Sequence, residues 1–160
     1  MWHRILATVA LTGALFVAQP GLSQATTTYT DSVSGVEVTA TSTKGTFVGT
    51  ASGDLPGYWK AIVYHTPLSP SATVTGGSIY LASYFYVRGD VSGGSVTFLS
   101  GTGCSNQYYD VHLDLSNVHR GGKTGGTGTF DGTLVHKRTL LFGQCVTYGA
   151  TVSGTLVVSL

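Results

Sequence analysis

The sequence predicts an all-β domain, and its preferred form is a single antiparallel barrel of about eight strands. Of the 160 residues, 23 are glycine, and threonine, valine and serine are also abundant, whereas glutamate occurs once. Glycine and serine favour turns, β-branched residues favour strands, and the strong helix formers are scarce. Alternating polar and apolar stretches, separated by turn residues roughly every 8 to 15 positions, indicate the same fold class.

Residues 1–25 have the composition of a removable export signal. Ile5 to Ala18 form a mainly apolar run, and Ser23 and Ala25 are the small residues that precede a signal-peptidase cut. The run is too short to span a bilayer as a helix. We therefore expect cleavage after Ala25, export to the periplasm or the outside of the cell, and one domain over residues 26–160.

The predicted strands follow one another without a linker or a charge run between them. In order, they are Val36–Thr43, Thr46–Ser52, Tyr58–Thr66, Gly77–Arg88, Ser95–Ser100, Gln107–Leu115, Gly128–Thr139 and Cys145–Val158.

Turn residues set the boundaries of these strands. Asp54–Gly57 suits a type II turn, because its proline presets φ and its glycine accepts a positive φ. Pro67–Pro70 is predicted to be a loop. The polar segment Thr26–Val33 is expected to be a loose lead-in, and Asn117–Gly128 is expected to be a flexible, mildly basic hairpin loop.

Eight antiparallel strands can close into a barrel or stack as a β-sandwich. Four glycines fall inside predicted strands, namely Gly49, Gly132, Gly149 and Gly154. They favour the barrel, because closing a small sheet requires sharp bends. The β-sandwich is the alternative.

The charges of the domain are few and balanced. Without Arg4, seven basic residues stand against seven acidic ones. Nucleic acid and anionic membranes attract concentrated positive charge, so neither is expected as the main partner. An outer-membrane barrel is disfavoured, because Lys60, Asp110 and Asp114 would interrupt its apolar outer band.

Cys104 and Cys145 predict one disulfide, since two lone cysteines in an exported chain usually pair with each other. Neither lies in a CxxC motif or beside a histidine, which argues against a metal site.

Two further motifs are not expected to bind a metal or a cofactor. Asp110, His112 and Asp114 share one strand face, but alternate residues lie about 6.5 to 7 Å apart, so a solvent-exposed face is favoured. Gly121–Gly126 resembles a phosphate loop, yet it lacks the first glycine of the motif and precedes a strand rather than a helix. No cofactor and no metal are therefore predicted.

Five segments carry a family resemblance. They are Leu55-Pro-Gly-Tyr-Trp59, His65-Thr-Pro-Leu-Ser69, Thr75-Gly-Gly77, Leu134-Val-His-Lys-Arg138 and Gly143-Gln-Cys-Val-Thr-Tyr148. Together they resemble small exported bacterial proteins, and they imply a common structure rather than a reaction. The strand count is also loosely similar to barrels of the allene-oxide-cyclase, dirigent and lipocalin kind, which implies an internal cavity.

Four residues are the candidate ligand-binding site. Alternation places His65 and His136 at the ends of apolar stripes, and Arg138 continues the second stripe. Tyr148 is in phase with three apolar residues of its own strand. If they converge at a barrel mouth, these side chains could bind the polar end of a small, partly apolar ligand or perform acid–base chemistry near neutral pH.

The preferred hypothesis is an exported, non-catalytic binding or structural module. One alternative is an isomerase or cyclase resembling allene oxide cyclase, in which the barrel holds a single substrate conformer. Another is an interaction protein that uses an outer aromatic face with Tyr80, Tyr84 and Tyr86. Catalytic residues and oligomeric state are not predicted.

Overall fold

The chain forms a closed barrel of eight antiparallel strands in a computed structural model that describes residues 26–160. The strands are β1 (Thr28–Thr41), β2 (Lys44–Gly53), β3 (Gly57–His65), β4 (Ala72–Ala82), β5 (Val87–Ser100), β6 (Gln107–Arg120), β7 (Lys123–Leu141) and β8 (Gln144–Ser159). Each strand pairs with the next, and β8 pairs with β1. The predicted fold class is therefore confirmed, and the β-sandwich is excluded. The predicted export signal, residues 1–25, lies outside the described part of the chain.

Because consecutive strands are antiparallel, the connections alternate between the two ends of the barrel. We call one end the mouth; it holds the connections β1–β2, β3–β4, β5–β6 and β7–β8. We call the other end the base; it holds the remaining connections and the Thr27–Leu160 backbone pair. Within residues 26–160 no helix has the length and apolar character needed to cross a bilayer.

Several predicted boundaries are wrong, including the start of the predicted strand Ser95–Ser100, because β5 already begins at Val87. The predicted strand Gly77–Arg88 contains the turn between β4 and β5, at residues 83–86. Its aromatic residues continue the alternation through the turn, so the pattern does not reveal the reversal. The predicted lead-in Thr26–Val33 belongs largely to β1, and Asn117–Gly128 belongs largely to β6 and β7, with a turn only at residues 121–122.

Apolar side chains fill the inside of the barrel, whereas charged side chains lie mainly outside. The buried set includes Val33, Trp59, Ile79, Leu113, Phe130, Leu134, Val152 and Leu156. On the outer face, Lys60, Asp110 and Asp114 are exposed, as the alternation predicts.

The base is closed by the connection between β2 and β3. Leu55 is almost fully buried, and its backbone N–H donates a 2.8 Å hydrogen bond to the Asp31 carboxylate. Thr30 N–H donates a similar bond, also 2.8 Å, to the Asp54 carboxylate. Burial raises the pKa of Asp31, and the Leu55 N–H partly offsets this effect. Gly57 has an extended φ of 159°, so the predicted type II turn is wrong.

The predicted disulfide is present at the mouth. Cys104 of the β5–β6 connection is bonded to Cys145 of β8, with a Cα–Cα distance of 5.0 Å. It joins two segments that are 41 positions apart in sequence.

Candidate ligand cavity at the barrel mouth

A cavity of about 270 Å³ extends from the mouth into the interior of the barrel. Its wall is mostly apolar and includes Val33, Phe47, Trp59, Ala61, Val63, Leu68, Ile79, Val96, Val111, Leu113, Phe130, Leu134 and Val152. The volume exceeds that of the engineered cavity of about 150 Å³ that binds benzene. A molecule with one ring and substituents, or a medium-length alkyl chain, is of suitable size.

Glycine pairs make space for two aromatic rings of this wall, those of Trp59 and Phe130. Gly35 pairs with Gly49 across β1 and β2, and a Cβ on Gly35 would lie 2.8 Å from the Trp59 ring. Gly132 pairs with Gly154 across β7 and β8, and a Cβ on either would lie under 3 Å from the Phe130 ring. The rings therefore lie against bare backbone.

The glycines predicted to bend the sheet thus have a second effect. By letting the rings lie close to the wall, they keep the centre of the barrel open. Gly149 differs, because a Cβ there would meet no atom within 4 Å.

His65 ends β3 and lies in the cavity wall, as predicted. Its Nδ1 is 2.7 Å from the carbonyl oxygen of Thr66. A carbonyl oxygen can only accept a hydrogen bond, so Nδ1 carries the proton. In the neutral ring, Nε2 is then the acceptor.

His136 of β7 also lines the cavity, which brings the two predicted histidines to one site. Its ring packs against Tyr109, with 5.0 Å between ring centroids. Burial lowers the pKa of His136, and the positive charges of Arg138 and His65 lower it further. The imidazole is therefore neutral at pH 7.

Glu37 of β1 is a third titratable group in this wall, and sequence reasoning missed it. Burial raises its pKa from 4.5 to about 7. The signal that could have found it is alternation, because Val33, Gly35 and Glu37 occupy one face of β1. The signal is obscured because the apolar residues Val36 and Val38 lie on the opposite face, where they point outward and are exposed.

The other two predicted site residues are not part of the cavity wall. Arg138 donates hydrogen bonds to the carbonyl oxygens of Gly103, at 2.7 Å, and Cys145, at 3.5 Å. It therefore ties the β5–β6 connection to β8, although its charge still influences His136.

Tyr148 is 66% exposed, so the expectation that it lines the cavity is wrong. The reason is a β-bulge: Lys137 pairs with Gly149 and Arg138 pairs with Thr147, which leaves Tyr148 without a partner. A bulge breaks the alternation on which the expectation rested.

The Asp110–Asp114 face is exposed, as predicted, and carries an ion-pair network. His112 Nδ1 lies 2.6 Å from Asp131, and Nε2 lies 3.2 Å from Asp114. The bond to Asp131 is the main cause of the raised pKa of His112. In the described part of the chain, no group of three or more His, Cys, Asp or Glu side chains is placed to hold a metal ion.

The predicted tyrosine face is divided by the β4–β5 turn. Tyr80 of β4 stacks on Tyr86, with 5.5 Å between ring centroids. Tyr84 lies in the turn, is 92% exposed and contacts Phe85 edge to face. The three tyrosines therefore do not form one face of one strand, and the stacked pair bridges the hairpin.

Comparisons with known proteins give no match. No family model matches the chain, no curated protein matches it, and no solved structure matches it. The resemblance to small exported bacterial proteins stays a prediction.

Proposed function

We propose that this chain is a non-catalytic binding protein for a small, mainly apolar molecule with one uncharged polar end. The cavity carries this proposal: its wall is apolar except near the mouth, where Glu37, His65 and His136 line it. Ligand pockets typically combine an apolar lining with a few polar groups that fix orientation.

The protonation states of these groups indicate the polar end. Below pH 7, Glu37 is mostly protonated and can donate a hydrogen bond. His65 uses Nδ1 for the Thr66 carbonyl oxygen, which leaves Nε2 for a ligand. A charged ligand group would lose its hydration on entering this apolar space without a full counter-charge. A hydroxyl or carbonyl group fits better, because it can exchange hydrogen bonds with neutral partners.

We propose further that the protein is exported. The Cys104–Cys145 disulfide supports this, because such bonds persist mainly in oxidising compartments. The composition of residues 1–25 supports it independently.

Trp59 provides a direct binding assay. Residues 26–160 contain Trp59 as their one tryptophan, and it lies in the cavity wall. Titration with a series of linear alkanols should change its emission and saturate, with affinity rising with chain length until the cavity is full. Ala61→Leu, which fills cavity space, should weaken binding, whereas Tyr148→Ser should bind as the unaltered protein does. Absence of saturable binding across the series would contradict the proposal.

A second candidate is an isomerase of the allene-oxide-cyclase kind, and one observation favours it. Within one apolar cavity, burial raises the pKa of Glu37 to about 7 and lowers the pKa of His136. Acid–base pairs in enzymes often have pKa values perturbed in this way. Glu37→Gln distinguishes the two. An enzyme should convert a bound substrate and lose that turnover in this variant while its affinity is retained. A binding protein should show no turnover in either form and an unchanged affinity.

A further inference from the structure

The β7–β8 hairpin extends beyond the rest of the barrel. His136 is the last β7 residue paired with β6, and Thr151 is the last β8 residue paired with β1. Beyond them, residues 137–149 pair only with each other. We call this segment the arm. Five paired positions carry its tip about 15 Å past the rim.

The arm is fixed at its side rather than free. Cys145 is bonded to Cys104 of the β5–β6 connection, and Arg138 donates to the carbonyl oxygen of Gly103 in the same connection. The tip is therefore presented in a defined position at the mouth.

The tip of the arm is apolar and unfavourable in water. Leu140, Leu141 and Phe142 are all exposed, and Phe142 is 97% exposed. Phe142 also has a φ of +49°, followed by Gly143 at +77°. Asparagine or glycine normally occupies such a turn position, because a bulky side chain there is strained. A strained, fully exposed phenylalanine buries no apolar surface within the chain and so gives no stability to the fold. Its presence here indicates a contact outside the chain.

The charges at the rim, behind the tip, identify the contact. Lys44, Lys137 and Arg138 lie in the mouth half. Among the described residues of the mouth connections and the arm, no Asp or Glu occurs. The carboxyls closest to them in sequence position lie inside strands, namely Asp110 in β6 and the half-buried Glu37 in β1. Although the domain is neutral overall, the arm and the mouth connections carry no negative side chain. An apolar tip with cations at the rim behind it matches the boundary of a bilayer that contains anionic lipids, where the tip meets acyl chains and the cations meet headgroups.

We propose that the arm tip inserts into the surface of an anionic lipid bilayer and docks the barrel with its mouth toward the membrane. Phe142 and the two leucines enter the boundary between headgroups and acyl chains, and Lys44 and Lys137 contact lipid headgroups, while Arg138 holds the arm in place. This surface does not depend on what the cavity binds, so the two proposals fail or succeed separately.

Flotation with lipid vesicles tests the proposal on the purified protein. Vesicles of phosphatidylcholine with about 30% phosphatidylglycerol should carry the protein upward, pure phosphatidylcholine should carry less, and high salt should weaken the binding. Phe142→Asn should reduce partitioning about tenfold, because it removes the largest inserted side chain. Its folding should be retained or improved, since asparagine accepts a positive φ.

Tyr84→Asn is the matched control. Tyr84 is 92% exposed in a turn at the base, so its removal deletes an equally exposed aromatic ring at the opposite end. Vesicle binding should be unchanged in this variant. In addition, Phe142→Trp should show a blue shift of emission on addition of anionic vesicles, which reports entry into an apolar environment.

Three outcomes would overturn the proposal. One is that the unaltered protein stays in the buffer at every lipid composition. Another is that Phe142→Asn floats as well as the unaltered protein, or that Tyr84→Asn loses as much binding. The third is a dimer in solution that Phe142→Asn converts to a monomer, which would assign the tip to contact with a second copy of the chain.

Discussion

Replacement of Glu37 by glutamine should change how the stability of the protein depends on pH. Burial raises the pKa of Glu37 from 4.5 to about 7, so the folded state holds this proton more tightly than the unfolded chain does. The contribution of protonated Glu37 to the free energy of unfolding is fully present below pH 4.5 and is lost as the pH rises through 7. The unaltered protein should therefore lose stability across this range.

The structure sets the size of the effect. The difference between a pKa of 4.5 and one of about 7 corresponds to at most about 3.4 kcal/mol. Because the side chain is only half-buried, solvent screening reduces the expected value to about 1 to 2 kcal/mol. Glu37→Gln has a similar shape but no ionisation. It should match the unaltered protein near pH 4 and exceed its free energy of unfolding by about this amount at pH 8.

Urea denaturation of both proteins at several pH values between 4 and 8 measures the effect. Comparing the two proteins at each pH removes the contributions of groups common to both, such as Asp31, His112 and His136. If the difference between the two free energies of unfolding stayed constant from pH 4 to 8, the buried placement of Glu37 would be refuted.

Other substitutions test the barrel wall, the disulfide and the outer ion pairs. Gly49→Ala should destabilise the fold by at least about 2 kcal/mol, because its Cβ would meet the Ser34 carbonyl oxygen; thermal melting measures this. Replacing both Cys104 and Cys145 by serine should lower the free energy of unfolding by about 2 to 4 kcal/mol, measured by urea denaturation. His112→Gln should lower stability by about 0.5 kcal/mol at pH 5.5, because the exposed histidine has a raised pKa; the loss should fade as the pH rises through that pKa, as urea denaturation would show.

Each of these variants has an internal comparison. Gly149→Ala should be close to neutral, because a Cβ there contacts nothing within 4 Å. A reducing agent should not change the free energy of unfolding of the variant that lacks both cysteines. The same agent should lower the free energy of unfolding of the unaltered protein to the value of that variant. For His112, an equal loss at pH 5.5 and pH 9 would mean that the ion pairs to Asp114 and Asp131 do not contribute.

Alternation and glycine placement predict most of the fold, because both follow from local backbone geometry. Gly49, Gly132 and Gly154 lie where close strand contacts leave no room for a side chain, as expected of a closed sheet. The turn at residues 83–86 escapes prediction, because its aromatic residues continue the alternation of β4.

The site is predictable only where alternation is unbroken. His65 and His136 continue apolar stripes and do line the cavity. Tyr148 fails because a bulge depends on how two strands are paired, which one strand does not reveal. The sequence does not predict Glu37 as a cavity residue, because its apolar neighbours, Val36 and Val38, indicate that the opposite face of the strand points inward.

The pairing of β1 with β8 has a consequence for how the chain folds. Every other pairing joins neighbouring strands through a short connection, but this seam joins Thr28 to Ser159 across 131 positions. Closing so long a segment costs about 3 kcal/mol more in chain entropy than closing a tight hairpin. We therefore expect the hairpins to form early and the seam last, so that an open eight-stranded sheet with two unpaired edges precedes the barrel. Pulse-labelling hydrogen exchange should show the β1 and β8 amides that bond across the seam protected after those that join β5 to β6. Until the seam closes, those edges can pair with other chains, so aggregation during refolding should rise steeply with protein concentration.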